Sequence, residues 1–171
     1  MSKQAFKQQT AEVEKFKFSD PKRANTICKS LIANSEGQSR QTIGKLWGEL
    51  AVTYAIMNQM DSGIAAIRQS LVYLPDGVSK ALNLKNMGNM YLYTSDYRRA
   101  DSAYAEALKV NRLKGVSLTT SIILGEQANV YNFRHDFENC IKLLLQAIDI
   151  HEKYAKNFFS LKITISIPIT L

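Results

Sequence analysis

Residues 84–108 read LKNMGNMYLYTSDYRRADSAYAEAL. Apolar and small residues recur every three or four positions on either side of the polar break Thr94-Ser95-Asp96. That is the pattern of two amphipathic helices joined by a tight turn. Gly88 and Tyr91 fall in one stripe of the first helix; Ala100, Tyr104 and Ala107 fall in one stripe of the second. Small residues that face each other across the stripes let antiparallel helices approach closely, and large residues beside them fix the register.

The arrangement repeats along the chain when it is aligned on Tyr54, Tyr91 and Tyr131. Seven residues before each Tyr stands a large apolar residue (Trp47, Leu84, Leu124), and three before it a small one (Ala51, Gly88, Ala128). Nine residues after each comes a small residue (Gly63, Ala100, Cys140), then a bulky one (Ile67, Tyr104, Leu144), then a small one again (Ser70, Ala107, Ala147). Breaks at Ser35-Glu36-Gly37, Asn58-Gln59, Pro75-Asp76-Gly77, Lys114-Gly115 and Arg134-His135-Asp136, with Asp20-Pro21 as a helix start, divide the rest. They predict eight helices: 2–17, 21–34, 39–57, 60–73, 78–94, 97–111, 116–133 and 137–154. One such pair cannot bury its apolar face alone, so the pairs must stack. The expected fold class is all-α, an α-solenoid of about four antiparallel helix pairs.

The motifs resemble the tetratricopeptide repeat (TPR). Trp47-x-x-Leu50-Ala51-x-x-Tyr54 with Gly63, Ile67, Ser70 and Pro75 carries the resemblance, as does Leu84-x-x-Met87-Gly88-x-x-Tyr91 with Tyr97, Ala100, Tyr104 and Ala107. A third copy, Leu124 to Ala147, has Gln127 where a large apolar residue is expected; residues 20–34 match only the second helix of a degenerate copy. The resemblance implies a right-handed superhelix over residues 1–154, with a degenerate copy at 1–36 and copies at 39–75, 78–113 and 116–154. Residues 155–171 are left as a tail. The spacings between the tyrosines exceed the usual 34 residues, and longer copies of this kind resemble TPR portions of bacterial sensor and regulatory proteins.

In that family the first helices of the pairs line a concave groove that holds a peptide or partner protein. The resemblance implies groove candidates Lys45, Glu49, Val52 and Ile56 in the second copy, Lys85, Asn86, Asn89 and Tyr93 in the third, and Glu126, Asn129, Asn132 and Phe133 in the fourth. Lys85 and Asn89 resemble half of a clamp for a peptide carboxylate. Gly125 and Glu126 leave that clamp incomplete. The other reading is a groove of amides and aromatics for an extended peptide; against both stands an ordinary solvated wall.

Other function classes find little support. The net charge is +7, and residues 1–45 carry much of it, but their lysines (Lys3, Lys7, Lys15, Lys22, Lys29) are scattered at helical intervals without interleaved aromatics. That describes a solvated face better than a nucleic-acid surface. Cys28, Cys140, His135 and His151 are too dispersed for a structural zinc site, and both cysteines read as small core residues. No metal, cofactor or catalytic motif is expected; Asp136 reads as a helix cap. The amino terminus has no apolar run and no stretch reaches membrane-spanning length, so the expected location is the cytoplasm, or the periplasm if a signal peptide was removed. The final ITISIPITL, residues 163–171, alternates with period two like a strand, which suggests a cap on the last helix or an end cut from a longer signalling protein. The leading expectation is a non-catalytic protein-interaction module. The alternatives are a sensor segment whose effector lies elsewhere, and a nucleic-acid binder using the basic amino-terminal helices.

Overall fold

A computed structural model describes residues 2–112 and 117–159; the strand-like segment 163–171 lies outside them. Within them the chain forms α1 (Lys3–Phe16), α2 (Pro21–Ala33), α3 (Arg40–Ile56), α4 (Met60–Tyr73), α5 (Val78–Tyr93), α6 (Tyr97–Arg112), α7 (Leu118–Phe133) and α8 (Phe137–Phe159). These agree with the expected spans within about two residues, except that α8 continues to Phe159 instead of ending at 154. No Gly or Pro interrupts residues 151–159, so nothing in the sequence stops the helix there.

Most helix starts carry a cap. Oxygens of Ser2, Asp20, Ser39, Asp96 and Asp136 accept from backbone N–H groups three residues on, which satisfies donors the helix leaves orphaned. Ser117 and Thr120 form a reciprocal capping box at α7. The three turns inside α3/α4, α5/α6 and α7/α8 share one geometry. Asn58, Ser95 and His135 sit in the left-handed region with φ of 60°, 60° and 58°. The next N–H then reaches back to the carbonyl of Tyr54, Tyr91 or Tyr131 at 2.9, 2.8 and 2.9 Å. This is the six-to-one closure of a Schellman motif. Each tyrosine of the repeat therefore marks the end of a first helix as well as a place in the packing stripe.

Helices pack as the pairs α1/α2, α3/α4, α5/α6 and α7/α8, and each second helix of the first three pairs also touches the first helix of the next. The first helices approach one another as well, α3 to α5 and α5 to α7, and so form one layer of the stack. Ala24, Cys28, Leu31, Ala51, Ile67, Ser70, Ala100, Tyr104 and Ala107 are fully buried. Two expected packing residues of the last copy are not. Leu144, the counterpart of Ile67 and Tyr104, is 41% exposed, and Cys140 is only half-buried. Both lie on α8, which no further pair flanks among the described residues.

The junctions between pairs carry buried polar links that the apolar pattern does not announce. Asn25 donates to Thr53 at 2.9 Å across α2/α3. Asn83 donates to the Ser70 hydroxyl at 2.6 Å across α4/α5, and Ser70 donates to the Gly44 carbonyl at 2.5 Å. Asn111 donates to Thr120 at 2.9 Å across α6/α7. Gln127, expected to weaken its copy, is buried at the same junction and donates to Asp101 at 2.7 Å. A paired buried amide is tolerated; an unpaired one would be costly.

Candidate binding groove

The layer of first helices holds two adjoining recesses. One, of about 550 Å³, lies among α1, the segment after it, α3 and α5, and its lining includes Glu14, Lys17, Phe18, Lys45, Glu49, Val52, Leu82 and Asn86. The other, of about 230 Å³, is lined by Val52, Ala55, Ile56, Met60, Asn86, Asn89, Met90 and Tyr93. Val52 and Asn86 border both, so the two form one continuous trough.

The structure thus gathers Lys45, Glu49, Val52, Ile56, Asn86, Asn89 and Tyr93 along one trough. Lys85, half-buried on α5, belongs to neither lining; Asn86, not Lys85, borders the trough beside Asn89 and Tyr93. The candidates on α7 are placed differently. Glu126 is half-buried, Asn129 and Asn132 are exposed, and the Phe133 ring stacks on Tyr97 with centroids 6.3 Å apart. Phe133 is therefore engaged with the start of α6.

Internal bonds decide which polar groups face outward. Lys17 lies 2.6 Å from Glu14 and 3.1 Å from Glu49, joining α1 to α3 across the floor of the larger recess. Burial works against its charge, but the two carboxylates outweigh that and raise its pKa above the ordinary lysine value. Glu49 is thus partly committed to holding the trough together, while Lys45 is exposed. Tyr104 donates its hydroxyl to the Asn89 Oδ1 at 2.5 Å. Burial, helped by the nearby Glu126 charge, pushes the Tyr104 pKa up, so the hydroxyl keeps its proton and its role as donor. With Oδ1 fixed this way, the Asn89 amide nitrogen is the end that remains to donate to a visitor.

Sequence reasoning missed α1's share of the trough. Lys17 and Glu14 read as part of a solvated basic helix, and the contact of Lys17 with Glu49 is long-range. Phe18, 73% exposed at the mouth, had a legible signal: a large aromatic just beyond the helical stripe of α1. Leu82 had none.

Chemically the trough offers amide donors and acceptors beside an apolar and aromatic recess. Among the described residues no group of three His, Cys, Asp or Glu is placed to hold a metal ion. Burial, followed by the charges of Glu49 and Glu14, pushes the Cys28 thiol up to about 12, so it is no nucleophile at neutral pH. No described helix is long and apolar enough to cross a membrane.

No family model and no characterised sequence matches the chain. Solved structures do. BtubC (BKLC) from P. vanneervenii superposes with a TM-score of 0.69 at 16% identity, over 88% of this chain and 63% of that one. A putative kinesin light chain of nearly identical TPR-like repeats from Podosopora anserina gives 0.70 at 14%, over 87% and 76%. MamA gives 0.64 at 15%, over 81% and 72%. This chain therefore spans less than two thirds of the first of these. At such identities the likeness is one of fold: the chain is an α-solenoid of TPR-like helix pairs.

Proposed function

We propose that this chain is a non-catalytic binding module whose trough, between α1, α3 and α5, holds an extended segment of a partner protein. The observation that carries the reading is the junction at Asn86 and Val52. There a row of amides meets a recess walled by Ile56, Met60, Met90 and Tyr93. Asn86 and Asn89 are suited to the main-chain N–H and C=O of a peptide, and the recess to one apolar side chain of it. Tyr93 is 67% exposed and Ile56 40%, a combination that suits them to close over such an anchor.

The test is selection of binders from a random twelve-residue peptide library on the intact chain, followed by titration. Tyr93→Ala and Val52→Asp should each weaken the selected peptides at least tenfold with the helical circular dichroism unchanged. Asn89→Ala is a poor probe, because it also strips Tyr104 of its acceptor. Peptides that bind both variants as tightly as the parent would show that the trough is not the site.

A further inference from the structure

Each second helix of the first three pairs is covered on two sides: α2 by α1 and α3, α4 by α3 and α5, α6 by α5 and α7. Among the described residues, the close packing of α8 is with α7 alone. Its outer face is nonetheless apolar, with Phe137, Ile141, Leu144, Leu145 and Ile148 at 56, 56, 41, 62 and 52% exposure. Their spacing makes one continuous stripe. Together they leave on the order of 500 Å² of apolar surface in water, at the upper end of what a monomer carries and of the size that marks an interface.

A line of charges runs beside the stripe. Glu138, Lys142, Asp149 and Lys153 follow one another at helical spacing. Within the helix only the last two form an ion pair, at 2.7 Å, among the described residues. The signs run acid, base, acid, base. About a two-fold axis a parallel copy turns this charged flank away from its mate, whereas a reversed copy brings the two flanks together with an opposite charge at every step.

We propose that a second copy of this chain covers this face, with α8 lying antiparallel on α8 about a two-fold axis between Leu145 and Gln146. In that register Glu138 meets Lys153 of the second copy and Lys142 meets its Asp149, and the two-fold repeats both pairs. The axis falls within one helical turn of the middle of the Phe137–Ile148 stripe, so the alignment that pairs the charges also brings the two apolar stripes together. This apolar area is below the ~800 Å² per partner of a stable interface, so the association is expected to depend on concentration. α8 is not a helix of the trough, so the proposal stands independently of the binding reading.

Sedimentation velocity on the full chain across micromolar concentrations tests this. A concentration-dependent dimer is expected, weakened at least tenfold by Leu145→Glu. Glu138→Lys should weaken it and Glu138→Lys with Lys153→Glu should restore it. Because these charge changes lie on the surface, they decide the matter if Leu145→Glu loses helicity. A monomer at every concentration would overturn the proposal, as would a dimer indifferent to the α8 changes. So would a dimer that forms only when Ile165 and Ile167 are both changed to Ser, since residues 160–171 would then be the cover.

Discussion

The ring of Tyr104 on α6 rests against the bare backbone of Gly88 on α5, so close that a Cβ at 88 would lie 2.8 Å from its Cε1 and 2.9 Å from its Cζ. The ring cannot withdraw: it is fully buried, and its hydroxyl is tied to Asn89 one residue along from Gly88. Gly88→Ala gains roughly 0.5–1 kcal/mol of helix preference but must displace a close-packed ring, which costs about 1–3 kcal/mol. The net expectation is a less stable protein, with a melting temperature lower by a few degrees in a calorimetric scan. An unchanged or raised value would mean the pair can spread apart freely.

The link between α4 and α5 predicts an asymmetry. Ser70→Ala removes the acceptor of Asn83 and the donor to the Gly44 carbonyl, and should cost about 1–3 kcal/mol. Ser70→Ala combined with Asn83→Leu removes both partners and should recover part of that loss. Urea titrations of the two singles and the double would show a coupling of about 1 kcal/mol; strict additivity would count against a shared bond.

The three left-handed turn residues differ in what they stand to gain from glycine. Ser95→Gly and His135→Gly relieve a backbone conformation that side chains resist, and each should stabilise by up to about 1 kcal/mol. Asn58→Gly should do much less, because Asn adopts this conformation more readily. Melting temperatures of the three variants, measured side by side, check the ranking.

Acid should loosen the turns first. The Asp96 carboxyl is held below the usual range by bonds from the Arg99 backbone and side chain, and Asp136 by bonds from the Asn139 side chain and backbone. A depressed folded-state pKa contributes stability that is present above the ordinary aspartate value of 3.8 and fades as pH falls through the lower folded value. Melting temperature should therefore drop below about pH 4. Asp96→Asn with Asp136→Asn, which keeps the caps but not the charges, should flatten part of that drop; an identical pH profile would exclude the two carboxylates as its source.

The fold was legible because its signal is periodic: each Tyr, with a small residue three before and another nine after, marks a helix end and a close approach through spacing alone. Leu144 shows where periodicity fails. Its place in the pattern is that of Ile67 and Tyr104, yet burial depends on what stacks beyond α8, which spacing does not encode. The trough was half legible for a similar reason. Asn86, Asn89 and Tyr93 follow from the phase of α5, but the commitments of Glu49 to Lys17 and of Phe133 to Tyr97 join residues far apart in sequence. Gln127 looked like a defect for the same cause, since its partner Asp101 is twenty-six positions away.

The polar links between neighbouring pairs also act as addresses. Each amide finds its partner at a different place in the repeat, so the pairs are not interchangeable bricks. If residues 78–117 were duplicated in tandem, the second Asn83 would meet Ala107 where the first meets Ser70, and a buried amide would have nothing to hold. The order of the pairs is therefore written at their seams, and this stack cannot grow or shorten by copying one of its units without rewriting the residues on either side.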